Sequence, residues 1–176
     1  MIAAVVLAAG ESTRFGSPKQ RILLPGVLER VEAAATVDDV VVVLGAHTVD
    51  SAGQTVHCTD WAAGPGASLR CGLRSLDEAV EAAVVVLADG PDLSPAAVDR
   101  VVEAWRRDGA PVLAASYDGV RGHPVVLARS VWADIPDEGA RALEPVLVPC
   151  DDLGSPGDVD VPGDVPGRLR QGEDEE

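Results

Sequence analysis

Short valine-rich runs recur along the chain, at Ala3 to Leu7, Val40 to Leu44, Val84 to Leu87 and Val112 to Ala115. Each run is continuous rather than alternating, which is the pattern of a strand covered on both faces. Between the runs, apolar positions recur at helical spacing. Val27 to Ala35 reads as one helix, and Ser68 to Val80 as a second, with Leu69, Leu73 and Leu76 on one stripe. Ser94 to Arg107 reads as a third: Ser94 suits the cap, Pro95 the first turn, and Val98, Val101, Val102 and Trp105 form the buried face. Two further strands are expected at Val125 to Leu127 and Pro145 to Val148, with a short helix at Glu138 to Leu143 between them. Beyond Asp152 the density of Gly, Pro and Asp predicts loop. Strands alternating with helices predict a single α/β domain, a mostly parallel sheet sandwiched by helices.

The chain has 176 residues, 47% of them hydrophobic and 24% charged, a composition that supports one globular core without a disulfide or metal staple. No internal repeat and no linker divides it. The domain is placed at residues 1–166, with 167–176 as an acidic tail expected to be disordered because its last residues offer almost nothing apolar to bury. The net charge of −15 argues against nucleic acid or an anionic membrane surface as a partner, since both call for a basic face. Cys58, Cys71 and Cys150 are widely spaced and odd in number, and Met1 to Ala9 lacks a basic leader, so a reducing, cytoplasmic setting is expected.

The first strand runs straight into Ala8-Ala9-Gly10-Glu11-Ser12-Thr13-Arg14-Phe15-Gly16-Ser17-Pro18-Lys19-Gln20. A Gly-rich turn there lies at the carboxyl edge of the sheet, where α/β folds bind ligands. Gly10 lets backbone approach a ligand, free N–H groups can cradle phosphate oxygens, and Arg14 and Lys19 add positive charge. The spacing fits neither the Walker loop nor the dinucleotide fingerprint. Thirteen of the fourteen basic residues are arginine, and the one lysine is Lys19. A compact ammonium on a phosphate is a role that arginine fills poorly.

This loop resembles the amino-terminal motif of the MobA/MocA-like NTP transferases, related to molybdenum cofactor cytidylyltransferase, in the form L-A-A-G-x-S-x-R-[MF]-G-x-P-K. The resemblance continues in order through Trp61 to Leu73, Val86 to Pro91, Gly122-His123-Pro124-Val125, Asp137 to Arg141 and Asp158 to Asp164. It departs from the usual pattern in an abbreviated Arg21 to Val27, a short His47 to Thr59, Gly90 in place of a larger residue, Ala67 in place of a common serine, and Val161 and Gly163 in the last motif.

The resemblance implies the nucleotide-diphospho-sugar transferase fold, with one late antiparallel strand, and transfer of a nucleoside monophosphate to a phosphorylated acceptor with release of pyrophosphate. It implies nucleotide binding by Leu7, Ala8, Ala9, Gly10, Ser12, Arg14, Lys19 and Ser68, with Lys19 and Arg14 as the catalytic cations. Ser68 would lie at a helix amino terminus, with Arg70 in its first turn. Ala8-Ala9 resembles the branch that uses CTP. Asp89 ends a buried strand at the same sheet edge, and with Asp160 it is expected to hold Mg²⁺, Asp158 competing with Asp160 for the second place. His123, Asp137 and Arg141 are expected at the acceptor, a molybdopterin-type cofactor by resemblance, although Asp137 and Arg141 are also spaced for an ion pair within a helix. A molybdoenzyme or other oxidoreductase is the protein partner so implied. Two alternatives stand beside this reading. One is a cytidylyl- or guanylyltransferase acting on a sugar, polyol or phospholactate phosphate. The other is a nucleotide-binding module without catalysis.

Overall fold

The computed structural model describes residues 1–172, with side chains to Arg170. Its strands are β1 (Ile2–Ala8), β2 (Asp39–Leu44), β3 (Gln54–His57), β4 (Ala82–Leu87), β5 (Val112–Tyr117), β6 (Val120–Ala128) and β7 (Val146–Pro149). The α-helices are α1 (Gln20–Glu32), α2 (Pro65–Arg74) and α3 (Pro95–Asp108). The strands form one sheet in the order β3-β2-β1-β4-β6-β5-β7. Every pairing is parallel except those of β6, which runs antiparallel to both β4 and β5.

The valine runs are continuous because both faces of the sheet are covered. In β1, Ile2, Ala4, Val6 and Ala8 face a core closed by Leu24, Val27 and Val31 of α1 and Val98 and Val101 of α3. The alternate residues Ala3 and Val5 face Leu69 and Leu73 of α2 on the other side. Gly72 lets α2 sit close to the sheet: a Cβ there would lie 2.7 Å from Val43 Cγ2 and Val5 Cγ1.

Four elements differ from expectation. Helix α1 starts at Gln20, not near Val27, and runs through Pro25. An interior proline costs about 3 kcal/mol, and burial of Leu23 and Leu24 offsets a cost of that size. Helix α2 is one turn earlier and shorter than expected, because Pro65 opens it. Strand β3 is polar and largely exposed, with no apolar run to reveal it; it exists because β2 offers an open edge. Strand β6 is longer than expected at its start, since Asp118 and Gly119, both at positive φ, make a tight hairpin from β5.

After β7 the chain returns across the carboxyl edge of the sheet as a strap. Val159 and Val165 are buried against Phe15 and Leu23, with Leu169 packed alongside. Gly167–Gly172 is a 3₁₀ helix. Within the described residues, therefore, the start of the expected disordered tail is held by Leu169 and by Arg170, which donates to the carbonyls of Val165 and Gly163. Residues 173–176 of that expected tail lie outside the described residues. Among the described residues, no helix is long and apolar enough to cross a membrane.

Candidate active site

The turn after β1 follows an irregular path that exposes its backbone donors. Ser12 has φ 57° and Gly16 has φ 82°. The Ser12 carbonyl accepts from the N–H groups of Phe15 and Gly16. The N–H groups of Gly10, Glu11, Ser12, Thr13 and Arg14 meet no acceptor among the described residues. A run of free N–H groups in one turn is an anion cradle. A Cβ at Gly10 would meet no atom nearer than 4.0 Å, so packing does not demand glycine there; its absence keeps the cleft open.

The loop walls a cleft of about 170 Å³ lined by Leu7, Ala8, Gly10, Ser12, Arg14, Lys19, Gln20, Asp89 and Asp160, among others. Lys19 immediately precedes α1, which aims its side chain across the cleft. Its Nζ donates to the Val159 carbonyl at 2.6 Å and to Asp89 Oδ2 at 3.1 Å, and lies 3.9 Å from Asp160 Oδ1. Arg14 Nη1 is 3.2 Å from Asp160 Oδ2. Two carboxylates from separate turns therefore converge on one cation. Backbone bonding holds both in place: Val159 N–H donates to the Asp89 carbonyl at 3.0 Å, and Asp164 accepts from the N–H groups of Asp160 and Val161.

Hard carboxylate oxygens of this kind suit Mg²⁺ or Mn²⁺. Among the described residues, no three His, Cys, Asp or Glu side chains group as a metal cluster. Asp89 and Asp160 would thus be the protein's share, with phosphate oxygens and water completing the octahedron, which is how Mg²⁺ is commonly held beside a nucleotide. Asp158 is displaced toward the neighbouring cavity. Burial, then the Asp89 and Asp160 carboxylates, push its carboxyl above the ordinary range.

Two more cavities share Asp89. One, of about 320 Å³, lies between the end of β1 and the start of α2, and is lined by Leu7, Ala9, Gly10, Trp61, Ser68 and Asp89, among others. The other, of about 650 Å³, has Leu87, Leu93 and Tyr117 in its wall, together with Asp118, Asp151, Asp158, Arg121 and His123. Burial pushes the His123 imidazole down to about 4, against a smaller opposite pull from Asp89. The ring is therefore neutral at neutral pH. The Tyr117 hydroxyl donates to the His123 carbonyl at 2.7 Å.

The expected site residues divide accordingly. Leu7, Ala8, Ala9, Gly10, Ser12, Arg14, Lys19, Ser68, Asp89 and Asp160 gather around two adjoining cavities, and His123 lies in the third. Asp137 and Arg141 line none of the three. Asp137 pairs with Arg70 at 2.9 Å instead of with Arg141, and its carbonyl accepts from the Gly66 N–H. Arg70 sits in the second turn of α2, not the first, because the helix begins at Pro65; its guanidinium turns outward to Asp137 and the Ile135 carbonyl. Gly90 has a packing reason: a Cβ would lie 2.9 Å from Pro156 Cβ, so a larger residue would push the strap away.

Sequence reading passed over Gln20 and Arg121. Both adjoin residues it did single out, Lys19 and the Gly122-His123 pair. Arg121 donates to the Ala140 and Leu143 carbonyls, fixing the 3₁₀ turn Gly139–Ala142.

A family model described as the MobA-like NTP transferase domain matches residues 4–147. The chain belongs to the MobA-like NTP transferase family. It is a nucleotidyltransferase, and the strap that carries Asp160 lies beyond the matched stretch. Among solved structures it is similar to the Rv0371c homologue of Mycobacterium sp. strain JC1, with 26% identity, a TM-score of 0.76, and coverage of 93% of this chain and 92% of that one. It is also similar to the Mycobacterium tuberculosis H37Rv protein Rv0371c in complex with manganese, at 24% identity and a TM-score of 0.66, covering 93% and 92%. A Methanothermobacter nucleotidyl transferase shares the fold at 21% identity and a TM-score of 0.71, covering 97% and 95%. No curated protein matches the chain.

Proposed function

We propose that this transferase moves CMP from CTP onto the phosphate of a molybdopterin-type acceptor. The observation that carries this reading is the position of Asp89, shared by the amide-lined cleft of the Gly-rich loop and the large cavity beside His123. A triphosphate in the first and an acceptor in the second would meet at that carboxylate. The acceptor phosphate attacks the α-phosphorus, the bond to the β-phosphate oxygen breaks, and pyrophosphate leaves.

The protein's part is positioning and charge neutralisation. The free N–H groups of Gly10 to Arg14 would hold phosphate oxygens, and Lys19 would exchange a carboxylate for the triphosphate. A divalent cation, when bound by Asp89 and Asp160, would supply further neutralisation of the triphosphate and the leaving pyrophosphate; that the similar protein Rv0371c has been solved in complex with manganese supports a divalent metal in this reading. The base is assigned to the cavity beside Ala9, Trp61 and Ser68. In the acceptor cavity, apolar Leu87 and Leu93 with Tyr117 would meet a flat ring, and Asp118 and Asp151 would accept from its N–H groups, as a pterin offers them. His123 is assigned to the acceptor; Asp137 and Arg141, outside that cavity, are not.

The test is pyrophosphate release with all four nucleoside triphosphates and a panel of phosphorylated acceptors. CTP with the pterin phosphate should be the fastest pair. Asp89→Ala should cost at least about 10²-fold in turnover, with Asp160→Ala in the same direction, Asp158→Ala smaller, and partial recovery at high Mg²⁺. Turnover indifferent to all three aspartates would remove the metal assignment. Preference for a sugar or polyol phosphate would change the acceptor alone.

A further inference from the structure

Gln20 is among the few polar side chains that are buried, at 3% exposure, and it lies under the Gly-rich loop. Its Nε2 donates to the Gly10 carbonyl at 2.9 Å, and its Oε1 accepts from the Ser12 hydroxyl at 3.0 Å. The orientation of the amide follows from its partners: a backbone carbonyl only accepts, so the amide nitrogen must face Gly10. These bonds hold the start and the middle of the stretch from Gly10 to Arg14, from which the unpartnered N–H groups point. They also bracket the turn at which Ser12 takes a left-handed conformation that a serine seldom adopts. A buried side chain that both donates and accepts, and carries no charge, meets all three requirements of this place. A carboxylate would leave the Gly10 carbonyl unpaired and set a negative charge below the anion cradle.

We infer that Gln20 is the positioning residue of the phosphate loop, its amide fixing the backbone between Gly10 and Ser12 so that the loop N–H groups converge on a triphosphate. The inference rests on the reading of that loop as the triphosphate site. Gln20 itself need not touch the ligand.

The probe is inorganic tripolyphosphate with Mg²⁺, titrated calorimetrically into the wild-type protein, Gln20→Met and Gln20→Glu. Gln20→Met keeps the volume and removes both bonds, and should bind about tenfold more weakly. Gln20→Glu should bind more weakly still near neutral pH, and should recover relative to wild type as the pH is lowered, because a protonated carboxyl again donates to one side and accepts from the other. The other charged groups facing this cleft are Arg14 and Lys19 from the loop and the start of α1, Asp89 after β4 and Asp160 on the strap. All are common to the three proteins, so the ratio of affinities isolates position 20. A merely structural glutamine would give no such acid recovery. Equal affinity in the three proteins, or recovery of Gln20→Met as well, overturns the inference. Wild-type protein that fails to bind tripolyphosphate overturns the loop reading and the inference with it. If thermal melts show either variant to be unfolded, Ser12→Ala carries the test. It removes one of the two bonds from a half-exposed position and should weaken binding about threefold; unchanged binding there overturns the inference.

Discussion

Lys19 joins the loop, β4 and the strap through a single ammonium, which touches Val159, Asp89 and Asp160. Its side chain is 14% exposed, so a competing phosphate must displace a carboxylate partner and not only water. Lys19→Ala should lower nucleotide affinity and turnover by about 10²-fold or more. Lys19→Arg should also be impaired, because a planar fork does not fit a socket of this depth. As the only lysine, it can be followed beside the amino terminus by amine-selective acylation, and bound triphosphate should block its modification. Full activity of Lys19→Ala would remove the cation from the mechanism. His123 makes a separate prediction about pH. The unfolded imidazole takes its proton near about 6.5, whereas burial delays protonation in the fold to about 4. In that window the unfolded chain binds more protons, so stability falls as pH is lowered from about 6.5 toward 4, by up to about 3 kcal/mol. The melting temperature should fall more steeply with decreasing pH across this range in wild type than in His123→Gln.

At the scale of elements, two glycines on helices should respond in opposite directions. Gly26 lies inside α1, and a Cβ there would meet nothing within 4 Å. Gly26→Ala should stabilise by about 0.5–1 kcal/mol, by restricting the unfolded chain and favouring the helix. Gly72 faces Val43 and Val5 across the closest approach of α2 to the sheet. Gly72→Ala should destabilise by about 1–3 kcal/mol through overpacking. Chemical denaturation of the two variants tests both signs. The start of α1 matters to the site, since the extra turns before Val27 aim Lys19 and bury Gln20. Pro25-Gly26 reads locally as an interruption, and only the packing of Leu23 and Leu24 shows why the helix passes through it.

For the molecule as a whole, the strap closes the site. Asp160 reaches the Gly-rich loop because Val159, Val165 and Leu169 pack against Phe15 and Leu23, and because Arg168 bonds to Asp92. This attachment is separate from the sheet cores on either face. Val165→Asp should therefore free the strap at a cost to turnover similar to that of Asp160→Ala, about 10²-fold, with a far smaller effect on the melting of the sheet. Turnover near wild type would show that the strap's hold on Asp160 does not depend on this cluster.

The sequence by itself determined the layered architecture, because uninterrupted valine runs are stable only between two covering layers, and helix-spaced leucines and valines supply those layers. It also made the Gly-rich loop legible, since Gly10, Ser12, Arg14 and Lys19 lie within ten residues and their spacing is local. Tertiary structure alone decided what is distant along the chain. It brought Asp160 to Asp89 and Lys19, moved Asp137 away to Arg70, and separated Arg141 from the cavity beside His123. It added β3, whose pairing comes from the open edge of β2 and not from its own side chains. It also gave Gln20 its place beneath the loop, because a hydrogen bond between a helix start and a turn ten residues earlier depends on the path of the backbone between them.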